Sequence, residues 1–356
     1  MGNTAMRYKI FGRRTGLRVS ELALGTGNFG TGWGYGAEPS DARKMFDRFA
    51  EAGGNFIDTA DSYQLGQSER LVGEFVSAER DRFVLATKYT LDSIANGGVS
   101  RLGNSRKSMV RSFEDSLRRL KTDRIDLYWA HFPDDVTPVE EILRAFDDLV
   151  RAGKILYAGL SNFPAWRVSR AVTLAELHGW APIVGVQIEH SLADRTADRE
   201  VLPMAEALGL GAALWSPLGG GFLTGKYRAS AEGRLAGLRT LVHTESSDHK
   251  TAILDAVLAV AKDLGATPSQ AAVAWLRHRG AASTTALVPI IGPRTVAQLD
   301  DYLGTLDVNL SDEQAARLTA VSAVPLGVPH EANAGVRDRL AGGDHTRLNR
   351  PASPAA

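Results

Sequence analysis

Short apolar runs recur along this chain, each ending in a polar residue and followed by an amphipathic stretch. ELALG, NFIDTA, RFVLATK, RIDLYWAH, ILYAGLSN, IVGVQIE, GAALWS and ALVPIIG make eight of them. They are brief and continuously apolar, as expected of parallel strands covered on both faces. Between them the period lengthens to that of a helix. In TPVEEILRAFDDLVRAG, Val139, Ile142, Leu143, Phe146, Leu149 and Val150 share one face, with Pro138 near the start and Gly153 just past the end. SMVRSFEDSLRRL repeats the logic through Met109, Phe113, Leu117 and Leu120.

Eight strands alternating with helices, with no shift of composition between them, predict an α/β fold closed as a (β/α)8 TIM barrel rather than an open doubly wound sheet. The preceding YKIFGRRTGLRVS predicts an N-terminal β-hairpin with Gly16 near its turn, and an extra helix or loop is expected at the C-terminus. One domain is expected over residues 1–343. The remainder, 344–356, is polar, proline-containing and aperiodic, which predicts a disordered tail. The segment GGGFLTGKYRASAEGRLAGLRTLVHTESSDH is too long for an ordinary strand-to-helix connection, and such loops are usually functional or disordered.

Within GTGNFGTGWGYG, Gly25, Gly27 and Gly30 spell G-x-G-x-x-G. In a Rossmann unit a helix opens directly at those glycines and an acidic residue closes the next strand roughly 20 residues on. Here more glycines, Trp33 and Tyr35 intervene before Pro39-Ser40-Asp41 offers a helix start, and Asp58 comes too late. The match is therefore not read as a Rossmann fingerprint.

Charge narrows the partners. Lys plus Arg and Asp plus Glu number 41 each in 356 residues, so no basic field exists to gather nucleic acid or an anionic membrane surface. No stretch approaches a membrane span, the N-terminus lacks a signal-peptide core, and Met6 breaks the myristoylation motif that Met1-Gly2 invites. Cysteine is absent, which removes disulfides, thiolate metal sites and cysteine nucleophiles together. These features predict a cytoplasmic protein acting on a small ligand, and they leave the oligomeric state open.

In such a barrel the active site lies at the C-terminal ends of the strands. The polar residues there are Asp58, Lys88, His131, Ser161 with Asn162, Gln187, and Trp215 with Ser216. Barrel closure would bring Asp58, Lys88 and His131 to one rim, with Tyr63 just beyond Asp58 in DTADSY. These four types suit moving a proton to or from an oxygen. A free Tyr has a pKa near 10, but a nearby ammonium stabilises phenolate, and Lys88 can supply that charge. Asp58 would hold Lys88 charged, while His131 would either donate a hydrogen bond to a substrate oxygen or pass protons. A nucleophile is missing, which speaks against a covalent hydrolytic route. No H-x-H or H-E-x-x-H pair supports a metal, and no Tyr is followed four residues later by Lys, as a short-chain dehydrogenase requires.

FIDTADSY, the Lys of LATKYT, the His of LYWAHFPD, GLSNF, WSPLGGGFLTGKY and PIIGPRTVAQLDD together resemble the aldo-keto reductase family. The likeness runs in order from Arg7 to about residue 340, nearest the bacterial group that includes the voltage-gated potassium channel β-subunits. It implies a barrel that reduces an aldehyde or ketone with NADPH, with Asp58, Tyr63, Lys88 and His131 as the catalytic tetrad and Tyr63 as general acid. It also implies cofactor contacts from Thr26, Gly27, Asp58, Ser161, Asn162, Gln187, Trp215, Ser216, Pro217, Leu218, Gly220, Lys226, Gly292, Arg294, Gln298 and Asp301. Trp33 and Tyr89 would shape the substrate pocket, and the long loop would strap the cofactor, with Arg228, Arg234 or Arg239 as a phosphate clamp or as plain surface charge.

Tyr302 stands where the family commonly has Asn, and His190 where Tyr is usual, which puts one adenine contact and the surroundings of Gln187 in doubt. Two rivals remain: a catalytically weak, cofactor-bound regulatory subunit, and a barrel lyase or isomerase with a different phosphate site.

Overall fold

The structure is a computed structural model that describes residues 5–94, 98–228 and 243–349. A short antiparallel hairpin, β1 (Tyr8–Ile10) and β2 (Arg18–Ser20), pairs Tyr8 with Ser20 and carries Gly16 in its connection. The chain then alternates: β3 (Ala23–Gly25), α1 (Pro39–Glu51), β4 (Phe56–Asp58), α2 (Gln67–Val76), β5 (Val84–Tyr89), α3 (Arg106–Leu120), β6 (Ile125–Ala130) and α4 (Val139–Arg151). It continues through β7 (Ile155–Ser161), α5 (Ala165–His178), β8 (Ile183–Glu189), α6 (Val201–Leu208), β9 (Gly211–Trp215), α7 (Asp248–Leu264), α8 (Pro268–Ala282), β10 (Leu287–Ile291) and α9 (Val296–Gly304). Strands β3 to β10 close a parallel barrel in chain order, with β10 pairing β3. The fold is the expected (β/α)8 barrel, and all eight apolar runs are its strands.

Local signals explain the helix limits. Ser105 caps α3 by accepting from the Ser108 N–H, Thr267 and Gln270 form a reciprocal capping box on α8, and Gly153 past α4 has φ 68°, which suits glycine. The periodic face of α4 is buried through Val139, Ile142, Leu143, Phe146 and Leu149.

The hairpin stoppers the barrel floor. Phe11 is fully buried, its ring 5.6 Å from that of Phe56 and 6.3 Å from that of Trp129. A Cβ on Gly185 or Gly211 would stand 2.5 Å or 2.8 Å from the Phe11 ring, so both strands need glycine there.

Alternation along the strands decides what reaches the top. Phe56, Ala86, Leu127 and Trp129 belong to the cluster inside the barrel, whereas Ile57, Leu85, Tyr89 and Tyr128 belong to the layer between strands and helices. Side chains two apart share a face. Asp58 therefore continues the inward row of Phe56, Lys88 that of Ala86, and His131 that of Leu127 and Trp129.

After α9 come α10 (Asp312–Val321), α11 (His330–Gly335) and α12 (Arg337–Leu340), the expected C-terminal addition. The tail expected to be loose from residue 344 begins with a turn instead: Asp344 caps a 3-10 turn over His345–Arg347, and His345 donates its N–H to Asp338 at 3.0 Å. Residues 350–356 lie outside the described residues. No helix among the described residues is long and apolar enough to cross a membrane.

Candidate active site

The rim at the C-terminal strand ends opens into a cavity of about 710 Å³. Tyr63 and His131 line it, and Asp58 and Lys88 stand behind them, 2% and 0% exposed. The Lys88 ammonium donates to Asp58 Oδ2 at 2.6 Å, to the Thr59 carbonyl at 2.7 Å and to the Tyr63 hydroxyl at 3.2 Å. An ammonium has three N–H donors, so all three are engaged, and the third points at the phenol. Burial alone would lower the Lys88 pKa, but the charge of Asp58 and the hydrogen bonds of Asp58 and Tyr63 outweigh it, and the net shift is upward. Lys88 stays charged because its partner is buried with it.

His131 sits on the other side of Tyr63, the rings 6.0 Å apart and nearly perpendicular, and it stacks on Phe132 at 4.5 Å. Burial first, then the charge of Lys88, holds its pKa well below the usual histidine value. The imidazole is therefore neutral at physiological pH. Its Nδ1 is buried with no hydrogen-bond partner among the described residues.

Gln187 joins this group: its Nε2 donates to Asp58 Oδ1 at 2.8 Å while the side chain lines the cavity. Asn162, at φ 60°, donates from Nδ2 to the His131 carbonyl at 3.1 Å, and its Oδ1 accepts the Trp215 indole N–H at 3.1 Å. Asn tolerates the left-handed region better than most residues. One amide thus fixes both the histidine loop and the plane of the tryptophan.

Of the expected cofactor contacts, Gly27, Asn162, Gln187, Trp215, Ser216, Pro217, Leu218, Gly220 and Gly292 line the cavity. Thr26 and Ser161 are fully buried beside it, Thr26 hydrogen-bonded to Ser68 and Ser161 to Asn162. Lys226 lies with its ammonium 4.9 Å from the Tyr227 ring. Gln298 accepts the Arg294 N–H at 2.8 Å, and Asp301 accepts from Thr267 at 2.6 Å. The Arg294 guanidinium, just ahead of α9, makes no ion pair among the described residues.

Trp33 lines the cavity 6.0 Å from the Tyr63 ring. Tyr89 does not. One residue past Lys88, it points to the helix layer, fully buried and stacked on Tyr128, so the expectation that it shapes the substrate pocket is corrected by strand alternation. Arg228 is held by Glu245 at 2.6 Å and Asp255 at 2.7 Å, which makes it a surface ion pair. Arg234 and Arg239 lie outside the described residues.

His190 is buried, 3.0 Å from Asp198 and stacked on Trp275, and is not among the cavity residues. Tyr302 does line the cavity. Residues not singled out from the sequence also appear there. Asn28 donates across the barrel seam to the carbonyls of Gly292 at 2.9 Å and Pro293 at 3.3 Å, and Asp92 and Phe132 line the mouth.

The model of the Aldo/keto reductase family matches residues 21–323. The chain belongs to that family. This aldo-keto reductase is 38% identical over 338 residues to the uncharacterized oxidoreductase YrpG of Bacillus subtilis, covering 92% of this chain and 100% of that protein. It is 37% identical over 331 residues to the norsolorinic acid reductase of Aspergillus flavus, covering 90% and 82%. It is 35% identical over 348 residues to an NADP(+) aryl-alcohol dehydrogenase of Phanerodontia chrysosporium, covering 91% and 88%. The aldo-keto reductase is thus an oxidoreductase of a family that acts on small-molecule carbonyl compounds and generally uses nicotinamide cofactors.

Proposed function

We propose that this enzyme reduces an aldehyde or ketone to the alcohol at the expense of NADPH, with Tyr63 as the proton donor. The observation that carries the reading is the Lys88 ammonium, bonded to Asp58 and to the Tyr63 hydroxyl at the mouth of the cavity, beside a neutral His131.

The cavity suits a dinucleotide in its own terms. It runs from Tyr63 and His131 past the face of Trp215 to Gly292 and Tyr302. Its wall includes Gly220 and Gly221 at φ 68° and 96°, where the absence of a side chain lets a ligand approach the backbone. Trp215 would present its face to the nicotinamide, with Asn162 and Gln187 at the carboxamide and Arg294 at the far phosphate.

NADPH held by these residues would supply the hydride, and with it both electrons, for the carbonyl carbon. Negative charge then grows on the carbonyl oxygen, and a proton must come from a group already within reach. Tyr63 gives its phenolic proton to that oxygen. Lys88 stabilises the phenolate left behind, and Asp58 keeps Lys88 in place and charged. His131, being neutral, donates one N–H to the oxygen and orients it without competing as an acid. The names of the relatives support an aromatic alcohol or ketone as the partner in this exchange. The test is loss of NADPH absorbance with a panel of aldehydes; a protein that binds NADPH yet oxidises none of it refutes the reading.

A further inference from the structure

The substrate end of the cavity differs in character from its polar floor. Trp33, Leu65, Leu91, Ile94, Leu102 and Phe132 form a collar around the mouth, and each exposes between 37% and 52% of its surface. Apolar side chains scattered singly over a surface need no explanation, but six converging on one opening mark a place for an apolar ligand.

A single ionised side chain breaks this collar. Among the cavity-lining residues described, Asp92 is the one Asp, Glu, Lys or Arg. Its position is fixed: Oδ1 accepts the Ser93 N–H at 2.6 Å and Arg101 Nη2 at 3.1 Å, and Oδ2 accepts Arg101 Nε. Arg101 is engaged in turn by Asp115 at 3.2 Å, a carboxylate that also pairs with Arg118, so Arg101 is held from both sides. Asp134, whose backbone and side-chain hydrogen bonds from Asn104 and Thr137 overcome burial and hold its pKa at about 2, adds another anion beside the same loop. The cations of the site are committed elsewhere: Lys88 is bonded to Asp58, and His131 is neutral.

We propose that the mouth selects uncharged carbonyl compounds with an apolar ring body and turns away those bearing a carboxylate, with Asp92 as the residue that carries the selectivity. This rests on the reading of the site as a carbonyl reductase. A ring body gains from covering the collar, at roughly 25 cal/mol per Å² of apolar area. A carboxylate brought to the same place loses hydration, meets a like charge in a cleft of reduced dielectric, and must compete with Asp92 and Asp115 for Arg101.

The experiment compares kcat/KM in the parent enzyme for methyl 4-formylbenzoate, 4-formylbenzoate and propanal at low and high ionic strength. The ester should exceed both others by about tenfold or more, a factor that a like charge or an uncovered collar supports. The margin over 4-formylbenzoate should shrink in high salt. Asp92→Asn, which removes the anion and releases Arg101, should raise the acid-to-ester ratio several-fold.

A second arm uses the unreactive pair 4-methylbenzamide and 4-methylbenzoate and follows the fluorescence of Trp33, identified by difference from Trp33→Phe. The amide should bind more tightly. Equal kcat/KM for acid and ester, equal binding of amide and benzoate, or propanal matching the ester overturns the proposal. No turnover of any aldehyde, with the amide still preferred, overturns the reductase reading and leaves the selectivity of the mouth standing.

Discussion

The Nζ of Lys88 stands 3.2 Å from the Tyr63 hydroxyl and 2.6 Å from Asp58 Oδ2, inside a barrel rim where the lysine has no contact with water. A buried ion pair contributes little net stability against a well-packed apolar pair of similar volume. Its retention beside a phenol at a cavity mouth points to chemistry. Lys88→Met removes the ammonium and leaves Asp58 uncompensated, so the variant should lose roughly 3 kcal/mol or more of stability as well as activity. Asp58→Asn with Lys88→Met relieves the stranded charge. The double variant should regain most of the melting temperature but none of the carbonyl reduction; recovery of both would mean that the pair is structural.

Arg294 is expected to discriminate between cofactors. A guanidinium that makes no ion pair among the described residues, placed ahead of a helix, suits a phosphate group, and a hydrogen bond to a charged group contributes about 1.5 to 3 kcal/mol. Arg294→Ala should weaken NADPH by that amount, roughly tenfold to a hundredfold in Kd, with NADH little changed, as measured by fluorescence titration. Equal losses for both cofactors would refute the assignment.

Trp215 is held with its indole N–H on Asn162 and its side chain at the cavity wall. NADPH should quench tryptophan fluorescence in the parent enzyme and much less in Trp215→Phe. Asn162→Ala should act on the same signal by freeing the indole plane. Unchanged quenching in Trp215→Phe would place the nicotinamide elsewhere.

Asp61, in the loop that carries Tyr63, predicts an unusual pH dependence of stability. It is buried, and its carboxyl oxygens make no well-formed hydrogen bond among the described residues, only a weak pull from the Ser62 N–H. Burial first and the neighbouring Glu69 second raise its pKa to about 8, against the pull of Arg119. In the unfolded chain the group ionises near pH 4. Between those values the folded state binds more protons, so Asp61 lowers stability progressively as pH rises from about 4 to about 8. Asp61→Asn should remove that slope and stabilise the protein at pH 8 by up to about 5 kcal/mol, read from melting temperatures across the window. A variant no more stable than the parent at pH 8 would show that Asp61 is ionised and solvated.

Much of this site was legible in the sequence, and the misses share a cause. Strand periodicity and strand-end position were enough to gather Asp58, Lys88 and His131, because alternation of side chains along a strand is set locally. Tyr89 was misplaced for want of the same argument carried one residue further. The collar as a whole is not legible, since Leu65, Leu91, Ile94 and Phe132 lie in connections whose paths depend on long-range contacts. Apolar residues within the polar stretch LDSIANGG were the available signal. Asp92 was invisible for a related reason: its role depends on Arg101 and on the rim beyond. The buried Asp61 could be seen only as one letter of DTADSY, since such burial leaves no trace in sequence.

Delivery of the proton by Tyr63 is open to test by a single substitution. Tyr63→Phe deletes the oxygen bonded to Lys88 and leaves the ring beside Trp33 and His131. Single-turnover reduction of an aromatic aldehyde, measured with NADPH bound and its Kd determined in parallel, separates chemistry from binding. If Tyr63 is the acid, the variant binds NADPH with a Kd within about threefold of the parent and reduces the carbonyl more slowly by the 10²–10⁴-fold typical of lost acid catalysis. A Tyr63→Phe enzyme that reduces the aldehyde within a few-fold of the parent rate would contradict that role.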